Sequence, residues 1–283
     1  MNKENYLTSS YGVQIPPIIY GTAWKKDKTA GLVAKAIDSG FRGIDTACQP
    51  KHYNEVGVGQ GVAGELNSGL KREELYLQTK FTPINGQDPT RIPYDAKADL
   101  GTQVAQSFQK SLENLQTPYL DCMVLHSPLN TPLELMTVWR AMETIFNDGG
   151  TKQLGISNCY DIRVLEYLYN KADNKPAVVQ NRFYATTGYD VGIRDFCKKN
   201  NIIYQSFWTL TANPKVLASA TIQQLAKKYG RTPEQIFFRY LTKSAIVPLT
   251  GTTSPQHMVE DLAIFTFDLA AEECKSIDDL LKG

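Results

Sequence analysis

The strongest constraint in this sequence is an alternation. Short apolar or β-branched runs recur at 15–23 (IPPIIYGTA), 41–47 (FRGIDTA), 75–81 (LYLQTKF), 120–126 (LDCMVLH), 153–158 (QLGISN), 177–183 (AVVQNRF), 202–208 (IIYQSFW) and 246–251 (IVPLTG). Their apolar parts are continuous rather than alternating, as in strands buried on both faces. Helical patterns lie between them. Leu32, Val33, Ala36 and Ile37 share one face of 29–39, and Val104, Phe108, Leu112 and Leu115 form a stripe along 102–115. Residues 132–147 open on a proline suited to a first helical position. One connection holds two helical patterns, 219–229 and 233–242. The second follows Thr232-Pro233-Glu234-Gln235, with threonine as N-cap, proline at the first position and glutamine at the third. Such units in 283 residues, with no low-complexity tract or linker, predict one (β/α)8 barrel, a TIM barrel, spanning 1–283 as a single domain. The first 14 residues precede the first barrel strand. With Gly12 they suit a small hairpin closing the barrel bottom.

Charge narrows the class of partner. Thirty Lys and Arg against twenty-nine Asp and Glu leave a net charge of +1, which gives nucleic acid no basic surface to attract it. No apolar run reaches the roughly 20 residues of a membrane span. The opening MNKENYLTSSYG lacks the apolar core of a signal peptide. Five cysteines, widely spaced and without a CxxC pair, suggest free thiols in the cytoplasm. The three histidines (His52, His126, His257) form no HExxH and no close pair, so no metal site is expected.

In a barrel of this type the active groups stand at the C-terminal ends of the strands. Strand two ends with Asp45, strand three with Lys80, strand four with His126 and strand five with Ser157-Asn158. Strand six carries Gln180, Asn181 and Arg182. Each alone has a local explanation, such as a turn cap, a core histidine or a snorkelling lysine. Together, at equivalent ends of consecutive strands, they converge on one mouth. Residues 83–97, the longest stretch without a pattern, follow strand three and fall on the same face, where barrel enzymes place substrate loops.

These same residues carry a family resemblance. GFRGIDTACQPKHYNEVGVG (40–59) resembles the aldo-keto reductase signature G-[FY]-R-x-I-D-T-A followed by a tyrosine and N-E-x-x-V-G. YLQTKF, YLDCMVLHSP, QLGISN and PAVVQ agree in order, so the resemblance spans essentially the whole chain. It implies a carbonyl reductase using a nicotinamide cofactor, with an Asp, Tyr, Lys, His tetrad. Asp45, Lys80 and His126 match directly. The tyrosine usually stands five residues after the aspartate, where this chain has Pro50, and counting back from Asn54-Glu55 leads to His52. Tyr53 is the nearest tyrosine and is taken as the proton donor, with His52 as the alternative. In this chemistry a tyrosine of pKa about 10 is a poor acid at neutral pH. A neighbouring Lys80 ammonium, itself held by Asp45, is expected to lower it by about 1–3 pH units. His126 would orient the carbonyl as a neutral ring.

The resemblance further implies that Ser157, Asn158 and Gln180 hold the nicotinamide carboxamide. The family's strand-seven Tyr-Ser pair matches Ser206, but Gln205 stands at the tyrosine. Tyr204, Phe207 or Trp208 would then have to supply the ring face, or the stack is absent. The nucleotide end falls on Gly251, Thr252, Thr253 and His257, where Ser254-Pro255 starts a helix. Gly251 and His257 replace the family's Lys and Arg. The resemblance implies NADPH, a preference these replacements weaken, and NADH is left open. Trp24, Phe81 and Trp208 are candidates for the substrate pocket. Ser127 stands where many members have tryptophan. The short end EECKSIDDLLKG lacks the family's long closing loop, which predicts an open, less selective site. A monomer acting on a small carbonyl compound is expected. Two other readings stand beside this one: a cofactor-binding sensor with little turnover, and a barrel aldolase using Lys80 as a Schiff base. The match Gly59-Gln60-Gly61-Val62-Ala63-Gly64 to GxGxxG lies in a helix-like stretch well past its strand, out of context for a dinucleotide fingerprint.

Overall fold

The computed structural model describes residues 3–282. Eight parallel strands close into a barrel: β1 (Ile19–Gly21), β2 (Gly43–Asp45), β3 (Tyr76–Phe81), β4 (Cys122–Leu125), β5 (Leu154–Ser157), β6 (Val178–Arg182), β7 (Ile203–Phe207) and β8 (Ile246–Thr250). Each pairs with its successor, and β8 returns to β1. Every one lies within an expected apolar run. Helices α1 (Thr29–Ser39), α2 (Glu55–Asn67), α3 (Leu100–Leu115), α4 (Pro132–Asn147), α5 (Ile162–Lys171) and α6 (Val191–Lys199) connect them. The link from β7 to β8 carries α7 (Pro214–Leu217), α8 (Ala220–Tyr229) and α9 (Pro233–Lys243). Helices α10 (Pro255–Leu262) and α11 (Ala271–Lys282) complete the chain. The caps explain several starts. Thr131 and Thr232 each form a capping box, with proline at the first turn of α4 and α9.

Side-chain parity separates two cores. Ile44, Leu77, Met123, Ile156 and Val179 point outward into the helix layer. Ile19, Tyr76, Cys122, Val124, Val178, Val247 and Leu249 fill the barrel. The N-terminal hairpin, Leu7–Thr8 against Gln14–Ile15, lies at the foot of this inner core. Leu7, Tyr11, Val13 and Ile15 pack on it, and Tyr11 Oη donates to the Lys175 carbonyl at 3.0 Å. It closes the end of the barrel opposite the polar strand termini.

The GxGxxG stretch sits inside α2 and serves helix packing. A β-carbon on Gly59 would lie 2.0 Å from the Asn114 carbonyl oxygen of α3, and one on Gly61 would lie 2.6 Å from the Ala30 carbonyl of α1. Gly64 faces open space.

Candidate active site

Period-two alternation carries Asp45 and Lys80 inward at the ends of β2 and β3. Lys80 Nζ donates to both Asp45 oxygens, at 2.7 and 2.6 Å, and to the Thr46 carbonyl at 2.8 Å. Both side chains are buried. A buried pair of this kind is stable only when its remaining lone pairs are also satisfied. Asp45 Oδ1 accepts two further bonds, from Gln78 Nε2 at 2.6 Å and Gln180 Nε2 at 3.0 Å. Gln205 Oε1 accepts from the same two amides at 2.8 and 3.0 Å, and Gln205 Nε2 donates to Gln78 Oε1 at 3.1 Å. Tyr76 Oη donates to Gln78 Oε1 at 2.9 Å. A ring of amides therefore floors the site. Burial draws the Lys80 ammonium below its ordinary value, and Asp45 opposes that pull.

Tyr53 lies just before α2, whose N-cap is Asn54. Lys80 Nζ is 5.2 Å from the Tyr53 ring centroid, and the His126 ring is 6.0 Å from it. Among the described residues the Tyr53 hydroxyl has no hydrogen-bond partner. The expected lowering of its pKa is not found. Burial, then the Asp45 charge, raise it above the ordinary tyrosine value, because Lys80 is already committed to Asp45 and Thr46. His126 stands at 2.6 Å, through Nδ1, from Thr82 Oγ1. Burial, Lys80 and His52 together push its pKa well below the usual histidine value, so the ring is neutral. His52, the alternative donor, packs against Trp24, with centroids 4.0 Å apart and the rings tilted by 36°.

The segment that presents Tyr53 is fastened to its neighbours. Cys48 N donates to the Lys80 carbonyl at 3.1 Å, and Tyr53 N to the Gln49 carbonyl at 3.1 Å. Gln49 Nε2 reaches the Gly86 carbonyl at 2.7 Å, and Gln87 Nε2 the Cys48 carbonyl at 3.0 Å. The 83–97 loop and the tyrosine segment are thus mutually bound.

Ser157 and Asn158 occupy the end of β5. Ser157 Oγ donates to the Gln180 carbonyl at 2.7 Å, and Asn158 Nδ2 to the His126 carbonyl at 2.8 Å. Two expected positions fall elsewhere. Ser206 points outward, fully buried, and accepts from Thr209 Oγ1 at 2.9 Å, so its hydroxyl does not reach the mouth. Phe81 also points outward and packs on Tyr94, with centroids 5.7 Å apart, so it lines no pocket. Tyr204 turns outward too, its hydroxyl donating to Asp190 at 2.9 Å. Phe207, two residues above Gln205, is the aromatic that β7 directs inward at the mouth. Trp24 and Trp208 are 58% and 47% exposed on the same face.

Beyond β8, Ser254 caps α10 by accepting from the His257 amide, and Thr252 Oγ1 accepts from the Ser254 amide at 3.1 Å. Gly251, Thr253 and His257 are exposed. Lys25, just after Trp24, donates its ammonium to the Gly251 carbonyl and would stand 3.6 Å from a β-carbon at 251. The β1 loop thus brings a cation against the β8 loop. The α10 N-terminus, the Lys25 ammonium and the inward polar groups of Ser157, Asn158 and Gln180, the last offering its Oε1 as an acceptor, make a set that fits a nicotinamide nucleotide. Gln78, Thr82 and Lys25 were missed from sequence, and Gln205 was noted only at the tyrosine position, not as part of the amide ring. Counting by twos from Lys80 would have found Gln78 and Thr82.

Among the described residues no group of three metal-binding side chains occurs, and no helix is long and apolar enough to cross a membrane. Comparison with known proteins agrees with this geometry. A model of the Aldo/keto reductase family matches residues 17–282. Glyoxal reductase of Bacillus subtilis (strain 168) is 31% identical, covering 88% of this chain and 82% of its own. NADPH-dependent codeinone reductase 1-4 of Papaver somniferum is 29% identical over 97% of this chain and 88% of its own. The crystal structure of an aldo-keto reductase enzyme from a Medee basin deep-sea metagenome library superposes with a TM-score of 0.84 at 28% identity, covering 98% of this chain and 95% of that one. The chain therefore belongs to the aldo/keto reductase family, as an NAD(P)H-dependent oxidoreductase that reduces carbonyl compounds.

Proposed function

We propose that Tyr53 is the proton donor of this reductase, that Asp45, Lys80 and His126 prepare it, and that NADPH is the preferred hydride source. The observation that carries the reading is the mouth itself. A doubly bonded Asp45–Lys80 pair lies beneath a tyrosine ring 5.2 Å from the ammonium, with a neutral histidine beside it. When bound, the reduced nicotinamide supplies the hydride. The remaining chemistry belongs to the chain. Charge appears on the carbonyl oxygen as its carbon is reduced, and a positioned acid is worth roughly 10²–10⁴-fold. Burial keeps Tyr53 protonated at neutral pH, and its hydroxyl has no competing acceptor among the described residues. Once the proton has left, the Lys80 charge faces the phenolate. The Thr82–His126 Nδ1 bond is assigned with the hydroxyl donating, which puts the hydrogen on the other ring nitrogen, where it can hold the carbonyl oxygen.

Ser157, Asn158 and Gln180 are assigned to the carboxamide. Gln180 Nε2 is committed to Asp45 and Gln205, so its Oε1 is what it offers a ligand. Phe207 is assigned to the nicotinamide face. The α10 N-terminus with Thr252, Thr253 and His257 takes the nucleotide phosphates, and the Lys25 ammonium beside Gly251 supports NADPH over NADH. The relatives' names mention glyoxal and codeinone, so the substrate class is kept at aldehydes and ketones, approached past Trp24 and Trp208. The tetrad is complete within one chain, which supports a monomer. Five unpaired cysteines, four of them buried, support a reducing cytoplasm.

The test is Tyr53→Phe, assayed by NADPH consumption with an aromatic aldehyde and by NADPH binding. We expect turnover to fall by about 10²-fold or more with binding retained. Normal reduction by the variant refutes the assignment.

A further inference from the structure

Arg182 closes β6 and stands one inward step above Gln180. Among the described residues it is the one arginine whose side chain reaches no acceptor. Arg72, Arg91, Arg140, Arg163 and Arg239 meet carboxylates, and Arg42, Arg194 and Arg231 meet carbonyl or hydroxyl oxygens. Arg182 Nε is buried without a partner, as are Arg231 Nε and Arg239 Nε, but the guanidinium ends of those two meet oxygens and that of Arg182 does not. The guanidinium is nevertheless fixed. Its carbon lies 4.2 Å from the Trp208 ring centroid and 5.3 Å from that of Tyr184. Trp208 itself holds a left-handed backbone, φ 55°, while 47% exposed, a strained setting typical of functional positions. The strand end is tied to the carboxamide cradle, because Tyr160 Oη accepts from Arg182 N at 3.1 Å and donates to Asn158 Oδ1 at 3.2 Å.

We propose that Arg182 is an anion-recognition residue of the barrel mouth, presenting a flat two-pronged donor to the carboxylate or phosphate of a ligand seated above Gln180. A planar guanidinium packed on aromatic rings is weakly hydrated and matches two oxygens of one acid group. Two sources share that chemistry: a phosphate of the nucleotide, and an acid group on the carbonyl substrate. The second source rests on the reductase reading above. The first measurement does not.

Inorganic pyrophosphate and malonate are titrated into the protein while tryptophan fluorescence is followed, with Trp208→Phe identifying the emitter. We expect a saturable Trp208 signal that Arg182→Met abolishes and Arg182→Lys weakens, since lysine keeps the charge and loses the fork. NADPH affinity is then measured, with kcat/KM for 4-carboxybenzaldehyde and for its uncharged methyl ester. A substrate source predicts that Arg182→Met lowers kcat/KM for the acid about 10–100-fold, with the ester and NADPH affinity unchanged. A phosphate source predicts an equivalent loss of NADPH affinity, with the two aldehydes affected alike. The proposal is overturned if Arg182→Met, with wild-type circular dichroism and Tm, alters none of these. If Met misfolds, wild-type behaviour of Arg182→Lys in every assay overturns it equally. A wild-type chain that answers pyrophosphate yet neither binds NADPH nor reduces either aldehyde would sink the reductase reading and leave the anion site standing.

Discussion

Gly59 and Gly64 stand five positions apart in one helix and in one apparent motif, and the structure gives them opposite fates. An alanine methyl at 59 would be driven to 2.0 Å from the Asn114 carbonyl oxygen and 2.9 Å from the Leu115 α-carbon. Carbon and oxygen need about 3.5 Å, so α2 and α3 must part by more than 1 Å or so. Overpacking costs about 1–3 kcal/mol, and here the obstacle is backbone on both sides, which favours the upper end. Removing glycine from a helix interior returns up to about 1 kcal/mol. The net expectation for Gly59→Ala is a loss of about 2 kcal/mol, or a Tm lowered by roughly 4–8 °C. Gly64→Ala meets nothing within 4 Å and keeps only the helix gain, raising Tm by about 1–3 °C. Scanning calorimetry of both variants, with NADPH titrations, is the assay. A nucleotide-binding loop would show the reverse pattern: affinity lost at either glycine with stability little changed. That result, or a Gly59→Ala protein as stable as wild type, refutes the packing argument.

Two further outcomes are expected. Gln205→Leu keeps the shape of the barrel floor but removes the shared acceptor of Gln78 and Gln180, and kcat should fall about tenfold with the pyridine nucleotide still bound; unchanged kcat denies the amide ring any part in holding Asp45. Burial pushes the Asp261 carboxyl up to about 7, against about 4 when unfolded, although Thr250 Oγ1 donates to it at 2.7 Å. The native state then holds more protons between about pH 4 and 7, so stability falls as pH rises through that window. Asp261→Asn should therefore be more stable than wild type at pH 8, by up to roughly 4 kcal/mol and with a higher Tm, the gap closing towards pH 4; equal Tm values at pH 8 exclude it.

The periodic parts of the fold were readable directly. All eight strands lie inside the apolar runs, and helices 29–39 and 132–147 match to the residue, because capping and amphipathicity are local. Asp45, Tyr53, Lys80 and His126 stood out in the sequence because each lies at a strand end or precedes a helix cap. The amide ring could not. Gln78 and Gln205 are 127 positions apart and meet only because the barrel closes. Ser206 and Phe81 were misplaced because an apolar run buried on both faces hides which residues point inward. Hydrogen bonding in three dimensions settles that parity. The Tyr53 pKa went the wrong way for a related reason. Sequence proximity names the charges around a group but not its depth, and depth outweighs them here.

The bonds between the tyrosine segment and the 83–97 loop have an evolutionary consequence. In many barrels the recognition loops can be exchanged while the reacting groups stay on rigid strand ends. Here the proposed acid hangs on a segment bound through Gln49 and Gln87 to the 83–97 loop, the stretch expected to carry substrate recognition. A change of specificity made by lengthening or repacking that loop also moves the acid. New substrates are therefore more readily acquired from the opposite rim, around Arg182 and Trp208, where side chains can vary without disturbing Tyr53.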